Sequence, residues 1–478
     1  RMAQLSAIFT VIGLLAYVPL RRPACAYPSR LILAFTFLAS LMLATASKEN
    51  GVLLVPLALL VEITFFRFRG IDSLSAAARG WIFSLGGVVL VIGCIFLLNS
   101  QLLDYSQREF TAIQRLLTQP RVLWSYAANI FIPFGNDPGV IAPVRISTGL
   151  FSPLSTFVAI SGLALSFMFI IWLYKHRMIL PAFGLAFFFL AHSMESTILP
   201  LEMAYLHRNY LASAGLFLAL SSGGWEMLTR FRPLRPLALL LSSTIIVAMI
   251  VNFAATSALK SVAWSSEANF RQATFQHHPQ SRRAVIDYAN HLAEAGRLDQ
   301  AIATLEPAME RHFPNDFVAR IAVMYFNCLS PSATLQDVDY AAIGTAESWA
   351  PKIEISQALS NLLTVSRNNC PTIDTAELVE QLKTFSQNHA QARGDSWDVD
   401  FYIVQLLDSD EQYETGNELL RDRLDQGEIR AGLYLAERLI SQGRQAHAKE
   451  VLSQISQQFK NAEIEPYRAS YRGLLTRI

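Results

Sequence analysis

Eight runs of mostly apolar residues, near 4–20, 31–47, 51–66, 79–99, 153–174, 178–197, 207–224 and 236–257, constrain this chain more than any motif in it. A helix needs about 20 apolar residues to cross the hydrocarbon layer of a bilayer. The runs are continuous rather than alternating, so they predict helices, which satisfy their own backbone groups in lipid. The expected fold class is therefore all-α, beginning with a polytopic transmembrane bundle of about eight spans. The first and third runs are short and predict little tilt or partial insertion.

Charge divides the chain and orients the bundle. Residues 1–259 carry 18 Lys and Arg against 9 Asp and Glu, and residues 260–478 carry 21 against 29, giving net charges of +9 and −8. Basic residues cluster in every second connection: Arg21, Arg22 and Arg30; Arg67, Arg69 and Arg79; Lys175 and Arg177; Arg230, Arg232 and Arg235. The positive-inside rule puts those four connections in the cytoplasm. The turn at Lys48-Glu49-Asn50, the segment 100–152, the stretch from Glu195 to Tyr210 and the C-terminal half then fall outside.

Those outer segments hold the polar chemistry. ESTILPLEMAYLHRNY, from Glu195 to Tyr210, places Glu195, Glu202, His207, Arg208, Tyr205 and Tyr210 at a membrane edge, between two apolar runs. Ionisable groups at such a depth are costly and mark functional sites, although a solvated loop would also account for them. At Lys48 and Glu49 two readings stand. Lys48 can snorkel while Glu49 caps the next helix, or the pair can bind an anionic head group and orient a reacting hydroxyl. Glu62, inside an apolar run, reads as the partner of a neighbouring helix. Within 100–152 the apolar spacing predicts an interfacial helix with Arg108, Arg115 and Arg121 on its polar side, broken at Pro120. Arginines there suit lipid phosphates in general or a substrate phosphate in particular.

Beyond Ala258 the apolar runs stop and amphipathic helical patterns begin, which divides the chain into a membrane domain, 1–258, and an extracytoplasmic helical domain, 259–478. DYANHLAEAGRLDQAIATLEPAM and LYLAERLISQGRQAHAKEVLSQI align on Gly296 and Gly443. Ala289 then matches Ala436, Ala301 matches Ala448, Leu292 matches Leu439 and Leu305 matches Leu452. Small residues at helix crossings and a glycine in the turn fit a tetratricopeptide (TPR) helix pair. They predict a TPR-like α-solenoid of five or six hairpins that binds a peptide or protein partner.

Cys25, Cys94, Cys328 and Cys370 are far apart and show no zinc-ligand spacing, so a zinc site is not expected. Only Cys328 and Cys370 are candidates to pair, and only in an oxidising compartment; two solitary buried thiols are the commoner arrangement. No nucleic-acid surface is indicated. Arg1 opens the chain without a signal-peptide pattern, which sets the expectation of a longer protein.

Four stretches together carry a resemblance: Arg1-Met2 before a span, SKENG at 47–51, RLLTQPRVL at 115–123 and ESTILPLEMAYLHRNYL at 195–211. With the helical repeats, they resemble the bacterial GT-C-type membrane glycosyltransferases with C-terminal TPRs, relatives of the transmembrane-and-TPR O-mannosyltransferases. The Gln of that family's QRM element is missing. The resemblance implies a transferase that moves a sugar from a polyprenyl-phosphate-linked donor to an extracytoplasmic acceptor, a protein hydroxyl above all, at the bacterial inner membrane. The donor is the substrate, and the resemblance leaves a divalent metal open, since polyprenyl donors are used both with and without ions. The acidic catalytic residue of such enzymes lies in the first extracytoplasmic loop, upstream of Arg1. Glu49, Glu195 and Glu202 are then the candidate carboxylates, and Lys48, His207, Arg208 and Arg115 the candidate phosphate ligands. Two other readings stand beside it: an undecaprenyl-linked polysaccharide polymerase or ligase, which predicts an arginine-rich outer loop, and a non-catalytic TPR scaffold, which predicts that the polar edge tolerates substitution.

Overall fold

The computed structural model describes residues 2–22, 27–68, 105, 108, 110–133, 137–139, 144–230, 235–330, 340–346, 352–366, 370, 373–393, 396–459 and 467–477. The expected span at 79–99 lies outside them, as do Cys25, Cys94, Arg69 and Arg79. Among the described residues the chain is helical, without a β-strand. It divides into two compact units, one of residues 1–105 and 110–277, the other of 106–109 and 278–478.

The first unit is built from α1 (Met2–Leu20), α2 (Tyr27–Ser47), a 3-10 turn (Glu49–Leu53) leading into α3 (Leu54–Val61), α4 (Ala112–Phe131), α5 (Leu154–Lys175), α6 (Ile179–His192), α7 (Asn209–Arg230), α8 (Arg235–Ala263) and α9 (Glu267–His277). Five segments are long and apolar enough to cross a membrane: Met2–Leu20, Pro28–Ser47, Glu49–Phe66, Leu154–Lys175 and Leu239–Ala263. Their outer faces carry unpartnered apolar side chains such as Phe35, Met42, Val158 and Ile250. Such faces are stable only against lipid or another apolar partner, which is consistent with membrane association.

Two of the eight expected spans take a different form. The run at 178–197 is helical only to His192, because the residues that follow leave the helix and turn their carbonyls toward Arg115. The run at 207–224 becomes α7, whose 22 residues are diluted by Ser213, Ser221, Ser222, Gly223, Gly224 and Glu226, and it is not one of the five. Pro120 does not break α4 either. The helix runs through it, started by a capping box in which Thr111 and Gln114 each accept from the other's backbone N–H.

The core of this unit draws Leu53 from the 3-10 turn, Leu57 and Val61 from α3, Ile130 from α4, Phe183, Phe187 and Phe188 from α6, and Ala212 and Leu216 from α7. Gly184 and Gly215 face each other where α6 and α7 cross; a Cβ on either would lie 2.5 Å from the other's carbonyl oxygen. Close approach of these helices brings the end of α6 beside the start of α7. Glu62, buried near the other end of α3, accepts from Arg21 through both carboxylate oxygens and from the Tyr17 hydroxyl at 2.7 Å, so it ties α3 to α1 as expected.

The second unit is helical and contains two helix pairs with the same turn geometry. In α10 (Arg282–Glu294) with α11 (Leu298–His312), and in α12 (Ile429–Ser441) with α13 (Gln445–Gln458), the turn glycines Gly296 and Gly443 both have φ of 75°. The next residue closes each turn alike: Arg297 N donates to Leu292 O and Arg444 N to Leu439 O, both at 2.8 Å. The matched pairs Ala289 and Ala436, Ala301 and Ala448, Leu292 and Leu439, Leu305 and Leu452 are all buried. Cys328 and Cys370 form a disulfide, against the expectation of two solitary thiols.

Candidate functional site

Residues 193–205 cross between α6 and α7 without regular structure, so their backbone groups need partners from elsewhere. Arg115 of α4 supplies them. Its guanidinium is fully buried and donates to four carbonyls: Glu195 and Leu201, Thr197 at 3.0 Å and Glu202 at 3.1 Å. One helical turn along, Gln119 donates to Met203 O at 3.0 Å, and Tyr126 accepts from Tyr205 N at 2.7 Å. Arg115, expected among the phosphate ligands, is thus a clamp that fixes the polar segment, and its donors are directed into protein.

The clamp fixes Glu195, which is 3% exposed and whose carboxylate faces three donors. Lys48 Nζ lies 3.0 Å from Oε1, Asn50 donates to the same oxygen, and Arg208 Nε lies 3.1 Å from Oε2. Lys48 and Asn50 come from the turn after α2, Arg208 from the turn before α7. The turn after α2 is tight because Gly51 packs directly on the backbone of Ala44 and Thr45, where a Cβ would overlap main-chain atoms. Two cations and one amide therefore converge on one carboxylate across about 150 residues of sequence. A buried charge survives only when paired and hydrogen-bonded in this way.

Glu202 and Arg208 do not pair through their side chains. The carboxylate beside Arg208 is that of Glu195, and Arg208 donates instead to the main-chain oxygens of Glu202 at 2.9 Å and Met203 at 3.4 Å. Glu202 is exposed, as is Glu49, which makes no hydrogen bond or ion pair among the described residues. His207 stacks on Tyr205 at 5.0 Å, and the Arg208 guanidinium sits 5.3 Å from the same ring. Partial desolvation, then the positive charge of Lys48, hold the His207 pKa below the ordinary imidazole value. That direction favours the neutral imidazole over the cation.

Lys48, Asn50, His207, Arg208 and Tyr210 line one small cavity of about 20 Å³, the room of roughly one water molecule, with His207 and Tyr210 exposed on it. His192 is a neighbour that sequence reasoning missed. It is 1% exposed, stacked on Tyr126 at 5.0 Å and edge-on to Phe188 at 4.9 Å, with neither ring nitrogen hydrogen-bonded. Asn50 stood in the polar turn without an assigned role, and nothing in the spacing marks Tyr126. Among the described residues no group of three or more His, Cys, Asp or Glu is placed to hold a metal ion.

Comparisons with protein-family models, with curated protein sequences and with solved structures find no match.

Proposed function

We propose that this chain is a membrane glycosyltransferase that moves a sugar from a polyprenyl-phosphate-linked donor to an extracytoplasmic acceptor, a protein hydroxyl, at the bacterial inner membrane. One observation carries the reading: Lys48, Asn50 and Arg208 are gathered on Glu195. In such a transfer the acceptor oxygen bonds to the anomeric carbon, the bond from that carbon to the phosphate oxygen breaks, and the lipid phosphate leaves with the electron pair. Cations fixed in advance at the leaving oxygen stabilise that charge without reorganising at the moment of reaction. Glu195 holds both cations in place between turnovers. Its two oxygens are engaged, so it positions rather than takes a proton. Glu49, next to Lys48 in sequence, and Glu202 are the exposed carboxylates able to accept the hydroxyl proton.

The second unit, read as TPR-like hairpins, presents the acceptor protein. The Cys328–Cys370 disulfide supports an oxidising, extracytoplasmic setting for it.

The test is transfer of a labelled sugar from a polyprenyl-phosphate donor in membranes carrying the chain. Lys48→Ala and Arg208→Ala should each lower transfer by about 100-fold or more, the scale for losing one oxyanion-stabilising donor. Rates are compared per folded chain in the membrane, because each substitution also removes a partner of buried Glu195. Transfer at the original rate in both variants would overturn the reading.

A further inference from the structure

A second cavity, of about 280 Å³, is lined by Arg121, Ser125, Tyr126 and Asn129 of α4, together with Asp137, Arg145 and four apolar residues. It shares no lining residue with the cavity at Lys48 and Arg208. Arg121, Ser125 and Asn129 recur every four residues and so lie in a row along one side of the helix. Arg121 fixes the strand of chain opposite them: its Nη1 donates to Arg145 O at 2.6 Å and to Ser147 Oγ at 3.3 Å. That contact brings two guanidinium groups to one cavity, and neither is paired with a carboxylate among the described residues. Partial burial, then the like charge of Arg145, lowers the Arg121 pKa. Two guanidiniums on one cavity repel each other, and their planar forks match the oxygens of a phosphate.

We propose that this cavity is a binding site for a phosphate ester that carries a neighbouring hydroxyl group, with Arg121 and Arg145 on the phosphate and Asn129, Ser125 and Asp137 on the hydroxyl. Asp137 selects for such a ligand. It is a hydrogen-bond acceptor, its Oδ1 already taking Gly139 N at 2.8 Å, and it disfavours a bare multiply charged anion. The inference does not depend on the proposed transfer reaction. The same chemistry is offered by the head group of phosphatidylglycerol and by soluble glycerol 3-phosphate.

The experiment uses the full chain in phosphatidylcholine nanodiscs, titrated calorimetrically with glycerol 3-phosphate. In parallel, the lipids that stay bound after extraction from mixed phosphatidylglycerol and phosphatidylcholine nanodiscs are identified by native mass spectrometry. Saturable binding of glycerol 3-phosphate identifies a soluble ester. Preferential retention of phosphatidylglycerol without it identifies a lipid head group. In either case Arg145→Gln, at an exposed side chain, should weaken binding at least tenfold without moving the thermal midpoint, and Asn129→Ala should weaken it severalfold. The proposal is overturned if glycerol 3-phosphate does not bind and the two lipids are retained equally, or if Arg145→Gln and Arg121→Gln both bind like the parent chain.

Discussion

Arg115 holds Glu195 by its main chain: the buried guanidinium donates to the Glu195 carbonyl and leaves the carboxylate free for Lys48 and Arg208. The arginine acts on the site through the backbone of residues 195–202, one step removed from any ligand. Arg115→Lys should therefore behave like Arg115→Ala, since an ammonium cannot reproduce a planar fork that reaches four carbonyls. Hydrogen exchange should show faster opening of 193–205 in both variants. Unchanged protection in Arg115→Lys would refute the clamp.

Glu195 makes the opposite test. Glu195→Gln removes the charge and leaves Lys48 and Arg208 close together without a counterion. Breaking a buried pair costs about 3–5 kcal/mol, so the thermal midpoint in detergent should fall steeply. Adding Lys48→Met should recover part of the loss, because it removes one of the stranded cations. Strict additivity of the two substitutions would show that they do not interact.

Gly51 sets where Lys48 and Asn50 sit. The 3-10 turn folds back on the last turn of α2, with Gly51 N donating to Lys48 O at 2.9 Å and Lys48 N to Ala44 O at 3.0 Å. The added methyl of Gly51→Ala meets main chain, which cannot swing aside like a flexible side chain. A cost of about 3 kcal/mol, at the upper end of ordinary overpacking, should appear as reduced accumulation in the membrane. Gly149→Ala, at a position with open space around it, is the matched control.

The apolar runs made the bundle legible, since length and hydropathy alone define a spanning helix, and five of the expected runs emerge as such helices. They failed where polar residues intrude: the helix ends at His192 because the next segment finds its hydrogen bonds on Arg115, a partner about 80 residues away that no local pattern announces. The pairing of Gly296 with Gly443 was readable because a turn of φ near 75° demands glycine at both places. For the site, the charge alternation put Lys48 and Glu195 at one membrane face, and their side chains meet. The choice of Glu195 over Glu202 as the partner of Arg208 was not readable, because in an irregular segment residue spacing does not determine which carboxylate turns inward.

His207 gives the site a pH dependence of definite sign. Its pKa in the folded chain lies below the ordinary value of 6.5, because desolvation and Lys48 oppose its charge. Protonation therefore costs more in the folded state than in the unfolded one. The folded state is favoured fully above pH 6.5 and loses that advantage as pH falls from there toward the depressed value. Thermal midpoints measured from pH 7.5 down to pH 5 should drop more in the parent chain than in His207→Gln. Parallel curves would show that His207 does not contribute.

The Cys328–Cys370 bond offers a measurement on stability and compartment together. The two cysteines are 42 residues apart. In the loop-entropy account, closing a loop of that size stabilises the fold by about 4 kcal/mol. Cys328→Ser with Cys370→Ser should therefore lower the midpoint of the second unit by many degrees. Reductant should do the same to the parent chain while leaving the double variant unaffected. In cells, thiol alkylation before and after reduction reports where the bond forms. If the second unit lies on the oxidising side of the membrane, both cysteines resist alkylator until reductant is added. Full labelling of both thiols in unreduced cells would place the unit in a reducing compartment and remove the support that the disulfide lends to an extracytoplasmic acceptor.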